Sequence, residues 1–199
     1  MPATALTCIA SNQAQGYRER GEETQMSVAV RTSKKARAQR SHWVTAIHEA
    51  GHAVLSLHFE LDPQTISIRP SRGVRGYCAT AGWSAGENRH PGLVAVRRAI
   101  SAYAGAEAVR QLCSRADVDA TDGAGDDFER AAAYCEHDEA RMTRAQRQCV
   151  KLVKHYAPEI RAVARSLFAS RRGELSSERA YELVQGSLAK RCADWARHN

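Results

Sequence analysis

The chain has 199 residues, of which 43% are hydrophobic and 26% are charged, and its formal net charge is +7 at pH 7. This length and composition favour one globular domain with its own core, and they exclude a protein that is too polar to form a core along its whole length. No run approaches the roughly 18 consecutive apolar residues that a membrane-spanning helix needs, so we expect no membrane span.

Residues 1–40 form a basic segment with seven basic and three acidic side chains. Such a run is typical of a solvated, disordered arm, although it could also contact phosphates. Met26 could be the true initiator. The opening residues lack the basic region of a signal peptide, and the six cysteines form no C-x-x-C pair. We therefore expect reduced thiols and a cytoplasmic location.

Residues 41–199 predict one mainly helical α+β domain with a small sheet. Apolar residues at helical spacing predict a first helix from its N-cap at Ser41 to about Glu60. The alternation of Ile66 and Ile68 with polar neighbours predicts a short strand, which continues as a hairpin or edge strand. Further helices are predicted at residues 92–112, 126–141, 143–156, 158–171 and 176–195.

The first predicted helix contains the sequence HEAGH at residues 48–52. Residues four apart lie on one face of a helix, so His48 and His52 can present ring nitrogens to one metal ion. Glu49 lies one position further round, where it can act on a zinc-bound water as a general base without being a ligand. Gly51 has no side chain, so another segment or a substrate could approach closely there.

An ordinary buried helix, with two histidines satisfied by hydrogen bonds, is the second interpretation of this stretch. H-E-x-x-H is a short motif, and zinc catalysis also needs a third protein ligand and an open fourth position. His58 lies off the face that carries the other two histidines, so we expect it to be a surface or packing residue. The third ligand must then come from far along the chain.

Four blocks of the chain resemble the peptidase domain of the FtsH-type AAA+ zinc proteases. HEAGHAVLSLHFELDPQTISIRP resembles the family's H-E-A-G-H helix and its following VSIIPRG-type strand, and AISAYAGAEAVRQL resembles its LAGRAAEEL helix. TDGAGDDFERAAAYCEH resembles its TTGASNDIERATELAR segment, and residues 150–184 resemble its closing pair of helices. The order and spacing of the blocks agree over roughly residues 43–185, so the resemblance implies a zinc metallopeptidase domain.

The resemblance also implies the third zinc ligand, which is the aspartate of the family's NDI sequence. That residue corresponds to Asp127 here, in the first turn of its predicted helix. Asp119, Asp122 and Asp126 are close in sequence, and Asp126 is the chief competitor. A solvated carboxylate that only caps the helix is the other interpretation of both Asp127 and Asp126.

Two features depart from the family. The sequence has no G-x-x-x-x-G-K-[ST] phosphate loop, so we expect neither an ATPase module nor ATP binding. The family's two adjacent glutamates become Val109 and Arg110, which leaves open whether Glu107 replaces the carboxylate that family members place near the zinc. We therefore expect a peptidase domain that stands alone, as a monomer or weak oligomer. This leaves room for a separate partner that delivers substrate.

The expected function is ATP-independent hydrolysis of peptide bonds in unfolded or flexible polypeptides. One zinc ion, held by His48, His52 and Asp127, would polarise a water whose proton Glu49 accepts. The substrate is expected to pair as an extended chain with the predicted edge strand. The substrate-binding residues predicted on this basis are Ile66, Ser67, Ile68 and Gly76.

Two other functions stay open. The changes at Val109 and Arg110 favour a zinc-binding regulatory module whose peptidase site is idle. The basic arm favours a nucleic-acid-binding protein, but nucleic acid is the less expected partner. The further arginines that would support it are typical of solvated helix faces, namely Arg161, Arg165, Arg171 and Arg172.

Overall fold

A computed structural model describes residues 36–70, 75–80, 91–114 and 124–198 of the protein. The chain divides into two units, Met1–Ser41 and His42–Asn199. Residues 1–35 of the predicted arm, including Met26, lie outside the described residues. The described part of the second unit is mainly helical with a small antiparallel sheet, which confirms the predicted fold class.

Six helices lie in the described ranges. Helix α1 covers residues 36–58, and the others are α2 (Pro91–Leu112), α3 (Gly125–Tyr134), α4 (Glu139–His155), α5 (Ala157–Ala169) and α6 (Ser177–His198). None of these helices is both long enough and apolar enough to cross a membrane.

Helix α1 passes through Ser41 instead of beginning there. Residues 36–40 are helical, so the prediction that Ser41 is the N-cap is wrong. The sequence ARAQR at these positions contains only good helix formers, which extend the helix beyond the predicted start. The end of the predicted disordered arm therefore belongs to α1.

The turn between α3 and α4 comes earlier than predicted. A single helix over residues 126–141 is predicted, but α3 ends at Tyr134. Glu136 and His137 both have a φ of 56°, which lies in the left-handed region and ends a helix. The Asp138 carboxylate then accepts a 2.7 Å hydrogen bond from the backbone nitrogen of Arg141 and caps α4.

Three strands form one antiparallel sheet in the order β2-β1-β3. They are β1 (Pro63–Ser67), β2 (Tyr77–Thr80) and β3 (Glu174–Ser176). Strand β1 pairs on one side with β2, where Ile66 lies opposite Cys78, and on the other with β3, where Ile66 lies opposite Leu175. The predicted strand is therefore central, and the prediction that it is an edge strand is wrong. The pairing that decides this comes from β3, a short strand more than a hundred residues away that no local pattern predicted.

Helix α1 lies in the core, where Ile47, Ala50 and Leu55 are fully buried. Helix α2 packs closely against it at Gly51. A Cβ atom on Gly51 would lie 2.6 Å from the Ala104 carbonyl oxygen and 2.9 Å from the Ala108 Cβ. The close approach expected at Gly51 is therefore made by α2, which also packs against α3 and α4.

We expect Gly51→Ala to lower the free energy of unfolding by about 1–3 kcal/mol, because the added methyl group forces two helix backbones apart. In an unconstrained helix the same substitution stabilises by up to about 1 kcal/mol. A loss of stability would therefore reflect the close contact with α2. Urea denaturation measures the change. Gly186→Ala on α6 is the matched control, because nothing lies within 4 Å of a Cβ atom there. It should be neutral or stabilising, and equal effects of the two substitutions would contradict the close contact.

Candidate metal centre

Helix α1 places the two histidines of HEAGH one turn apart on one face. Their Nε2 atoms lie 3.1 Å from each other. The Nδ1 atom of His52 donates a 2.8 Å hydrogen bond to the backbone oxygen of Ser101 on α2. Because Nδ1 carries the hydrogen, Nε2 of His52 is the nitrogen left to bind a metal ion.

Helix α3 brings Asp127 to this pair from a distant part of the chain. Its Oδ2 atom lies 3.0 Å from Nε2 of His48 and 3.1 Å from Nε2 of His52. A tetrahedral ion with bonds of about 2.0–2.1 Å would separate its ligand atoms by about 3.3 Å. The three donor atoms are thus close to the spacing that zinc requires, and the group could hold a metal ion.

The structure distinguishes Asp127 from its neighbour Asp126. Asp127 is buried, with 7% of its surface exposed, whereas Asp126 is exposed at the edge of the same cleft. Arg130, one turn later on α3, donates a 2.8 Å hydrogen bond to Oδ1 of Asp127. This contact orients the carboxylate so that Oδ2 points to the histidines. The other two candidates, Asp119 and Asp122, lie outside the described residues.

The electrostatics of the group favour an ionised Asp127. Burial by itself raises the pKa of this carboxyl group, but hydrogen bonding to both imidazoles holds it well below its usual range. Burial lowers the pKa of His48, and the hydrogen bond with Asp127 opposes this only in part. Burial also acts to lower the pKa of His52, but the hydrogen bond and negative charge of Asp127 outweigh it and raise that pKa. An ionised carboxylate is the form that binds a metal ion.

Glu49 lies beside this group and lines the same cleft, although only 5% of its surface is exposed. Burial raises the pKa of Glu49 to about 7, and the charges on His52 and Arg130 act in the opposite direction. Gly76 leaves room for the carboxylate, since a Cβ atom there would lie 2.8 Å from Oε1 of Glu49. The cleft thus holds a buried carboxylate next to three possible metal ligands.

Gly105 on α2 is a site residue that the sequence reasoning missed. A Cβ atom on Gly105 would lie 2.7 Å from Nε2 of His48 and closer still to Nε2 of His52. Only glycine leaves the two imidazoles in their places. A lone glycine among alanines in the predicted helix was the available signal, because glycine in a helix interior usually has a packing reason.

The cleft has a volume of about 140 Å³ and is bounded by α1, α2, α3 and β2. Strand β2 contributes Tyr77, Cys78 and Thr80, and α3 contributes Tyr134 beside the residues already described. Of the predicted substrate-binding residues, Gly76 lies in the cleft. Ile66, Ser67 and Ile68 are buried, and none of them lines it. The backbone of β1 is paired on both sides, so it cannot add a substrate strand as predicted.

Glu107 is not part of this centre. Its carboxylate accepts a 2.8 Å hydrogen bond from Nε of Arg110, and it lines a second cavity between α2 and α4 with Tyr103 and Val150. His58 also lies apart from the ligand group, as expected, and its Nδ1 atom is 3.0 Å from the Tyr156 hydroxyl. Neither residue therefore competes with Asp127 as a ligand.

No protein-family model matches the chain, and no curated protein matches it either. The likeness to the FtsH-type zinc proteases therefore rests on the four sequence blocks. The candidate centre rests separately on the geometry of the described residues.

We expect Asp127→Asn to weaken zinc binding at least about a hundredfold, because a direct ligand loses its charge. Loss of a group that only hydrogen-bonds to a metal ligand already weakens metal binding about 10–100-fold. Asp126→Asn is the matched control and should change the zinc affinity by less than about twofold, since an exposed charge is screened by solvent. Competition with a chromophoric chelator measures both. Equal losses of zinc affinity in the two variants would show that Asp127 is not the third ligand.

Gly105→Ala should weaken zinc binding at least about tenfold, because the methyl group displaces the imidazoles that face it. Gly92→Ala on the same helix is the control, since nothing lies within 4 Å of a Cβ atom there. Zinc titration of both variants, with circular dichroism to verify folding, measures the difference. Undiminished zinc affinity in Gly105→Ala would show that α2 does not press on the site.

Proposed function

We propose that the protein is a zinc metallopeptidase of the FtsH type that hydrolyses peptide bonds without ATP. The observation that carries the proposal is the buried carboxylate of Glu49 beside His48, His52 and Asp127 in one open cleft. A site that only holds the fold together has no use for a carboxylate that is not a ligand. The four blocks of family resemblance support the same function.

In the proposed mechanism His48, His52 and Asp127 hold one zinc ion per chain. The bound zinc would act as a Lewis acid that polarises water and the scissile carbonyl group. Glu49 accepts the proton of the attacking water and later delivers it to the leaving amine as the C–N bond breaks. The hydrogen bond from His52 to the Ser101 carbonyl and that from Arg130 to Asp127 keep the ligands oriented throughout.

The proposed substrate is an unfolded or flexible polypeptide. Its scissile bond has to reach Glu49 and Asp127, which are only 5% and 7% exposed. Among the described residues no strand pairs with the outer edge of β2, and this strand lines the cleft. We propose that an extended substrate pairs with β2 in place of the predicted β1. Peptides N-methylated next to the scissile bond should then resist cleavage, and undiminished cleavage would contradict the pairing.

A separate partner could deliver substrate, and the cytoplasm is the proposed location. Nucleic acid is not a proposed partner.

A catalytically idle zinc-binding module is the second candidate. It is favoured by the α2 turn that carries Val109 and Arg110, where the family has glutamates. Val109 is buried in the core, and Glu107 pairs with Arg110 away from the cleft. No carboxylate of this turn therefore assists the metal centre.

The test pairs metal analysis with proteolysis. We expect one zinc per chain by mass spectrometry in the wild type and none in His48→Ala. Glu49→Gln should retain zinc but cleave fluorescently labelled casein at least about a hundredfold more slowly, because it removes the general base. Glu107→Gln is the control for a glutamate outside the cleft and should stay within about twofold of wild type. Zinc without cleavage would favour the idle module, and absence of zinc would reject both functions.

A further inference from the structure

We infer that Ser56 and Ser101 are positioning residues for the metal centre. Their buried hydroxyl groups hold α2 against α1 so that the Ser101 carbonyl group stays on Nδ1 of His52. The inference rests on the proposed zinc site, and it assigns a role to two side chains that line the cleft but are not among the possible metal ligands.

The two serines meet one helical turn beyond His52. Ser56 on α1 is fully buried and Ser101 on α2 is 7% exposed. Their Oγ atoms lie 2.7 Å apart, which is the usual length of an O–H···O hydrogen bond. Ser101 also contacts His52 twice, because its Oγ atom lies 3.5 Å from the His52 backbone oxygen and its carbonyl accepts from Nδ1. Ser101 is thus joined to both ends of one turn of α1.

A serine hydroxyl donates one hydrogen and accepts with two lone pairs. Either serine can therefore donate in the 2.7 Å contact. The contact of the Ser101 hydroxyl with the His52 carbonyl, at 3.5 Å, is the weaker of the two. The short contact between the serines thus holds α2 to α1 one turn from His52.

Two alanines would fill this space nearly as well, but they would not fix the helices along their axes. Hydrogen bonds are directional, whereas apolar contacts allow sliding. Sliding matters here because Gly105, one turn along α2, lies directly against both imidazoles. A small shift of α2 would move the Ser101 carbonyl away from Nδ1 and push backbone atoms against the rings. The serine pair prevents this shift.

The experiment compares zinc binding by the wild type, Ser56→Ala, Ser101→Ala and the double variant, using chelator competition. We expect each single variant to bind zinc about three- to tenfold more weakly, which is at or below the effect of losing a direct partner of a metal ligand. The double variant should be close to the singles, because the two hydroxyls act as one unit. Ser187→Ala is the control, since that hydroxyl donates to Glu159 outside the site, and it should leave zinc affinity unchanged.

A second measurement separates positioning from general stability. In the metal-free protein, nitrogen-15 NMR should show a slowly exchanging Nδ1–H on His52, and both serine variants should exchange it faster. A purely structural role would lower the stability to urea without changing this signal. Equal zinc affinity and equal exchange in all these proteins would overturn the inference alone. A wild type that binds no zinc would overturn the proposed function and the inference together.

Discussion

The close approach of α1 and α2 is the constraint on which the candidate centre depends. Gly51 lets the Ala104 carbonyl approach α1, and Gly105 lets α2 pass directly beneath the two imidazoles. At this separation the Ser101 carbonyl reaches Nδ1 of His52. Bulkier residues at either glycine would widen the gap, and the hydrogen bond that selects the metal-binding nitrogen would be lost.

The polar groups of the centre are stable only as a set. Asp127 is buried next to two histidines, and an unpaired carboxylate at that depth would be costly. Arg130 from the solvent side and the two imidazoles from the core side each satisfy one of its oxygens. The same residues that make the site polar enough to bind a cation therefore also compensate the burial of its charge.

The proposed catalytic function depends on the position of Glu49. It is one residue from His48 and lines the cleft, but its carboxylate is not among the atoms grouped around a possible ion. With a metal ion bound, that arrangement would place a proton acceptor next to a Lewis acid without filling the coordination sphere. In the proposed mechanism an extended substrate would pair with β2, which lines the cleft, since β1 is paired on both sides.

Much of the α1 half of the centre was predictable, because a four-residue spacing within one helix brings His48 and His52 together whatever the rest of the chain does. The place of Asp127 came from the likeness to a family, and composition alone could not separate it from Asp126. Gly105 and Ser101 were not predicted, since their roles exist only where α2 meets α1. The end of α3 was also predicted wrongly, because helix-forming neighbours obscured the cap at Asp138.

The sequence by itself determined the helical character of the domain and the pairing of two histidines with one glutamate, since these depend on neighbours within a turn or two. Only the tertiary structure decided which aspartate is buried, that β1 is central, and how near α2 lies to the imidazoles. Each of these depends on segments tens of residues apart. Periodicity in the local sequence indicates which face of an element is buried, but it does not indicate which distant segment packs against that face.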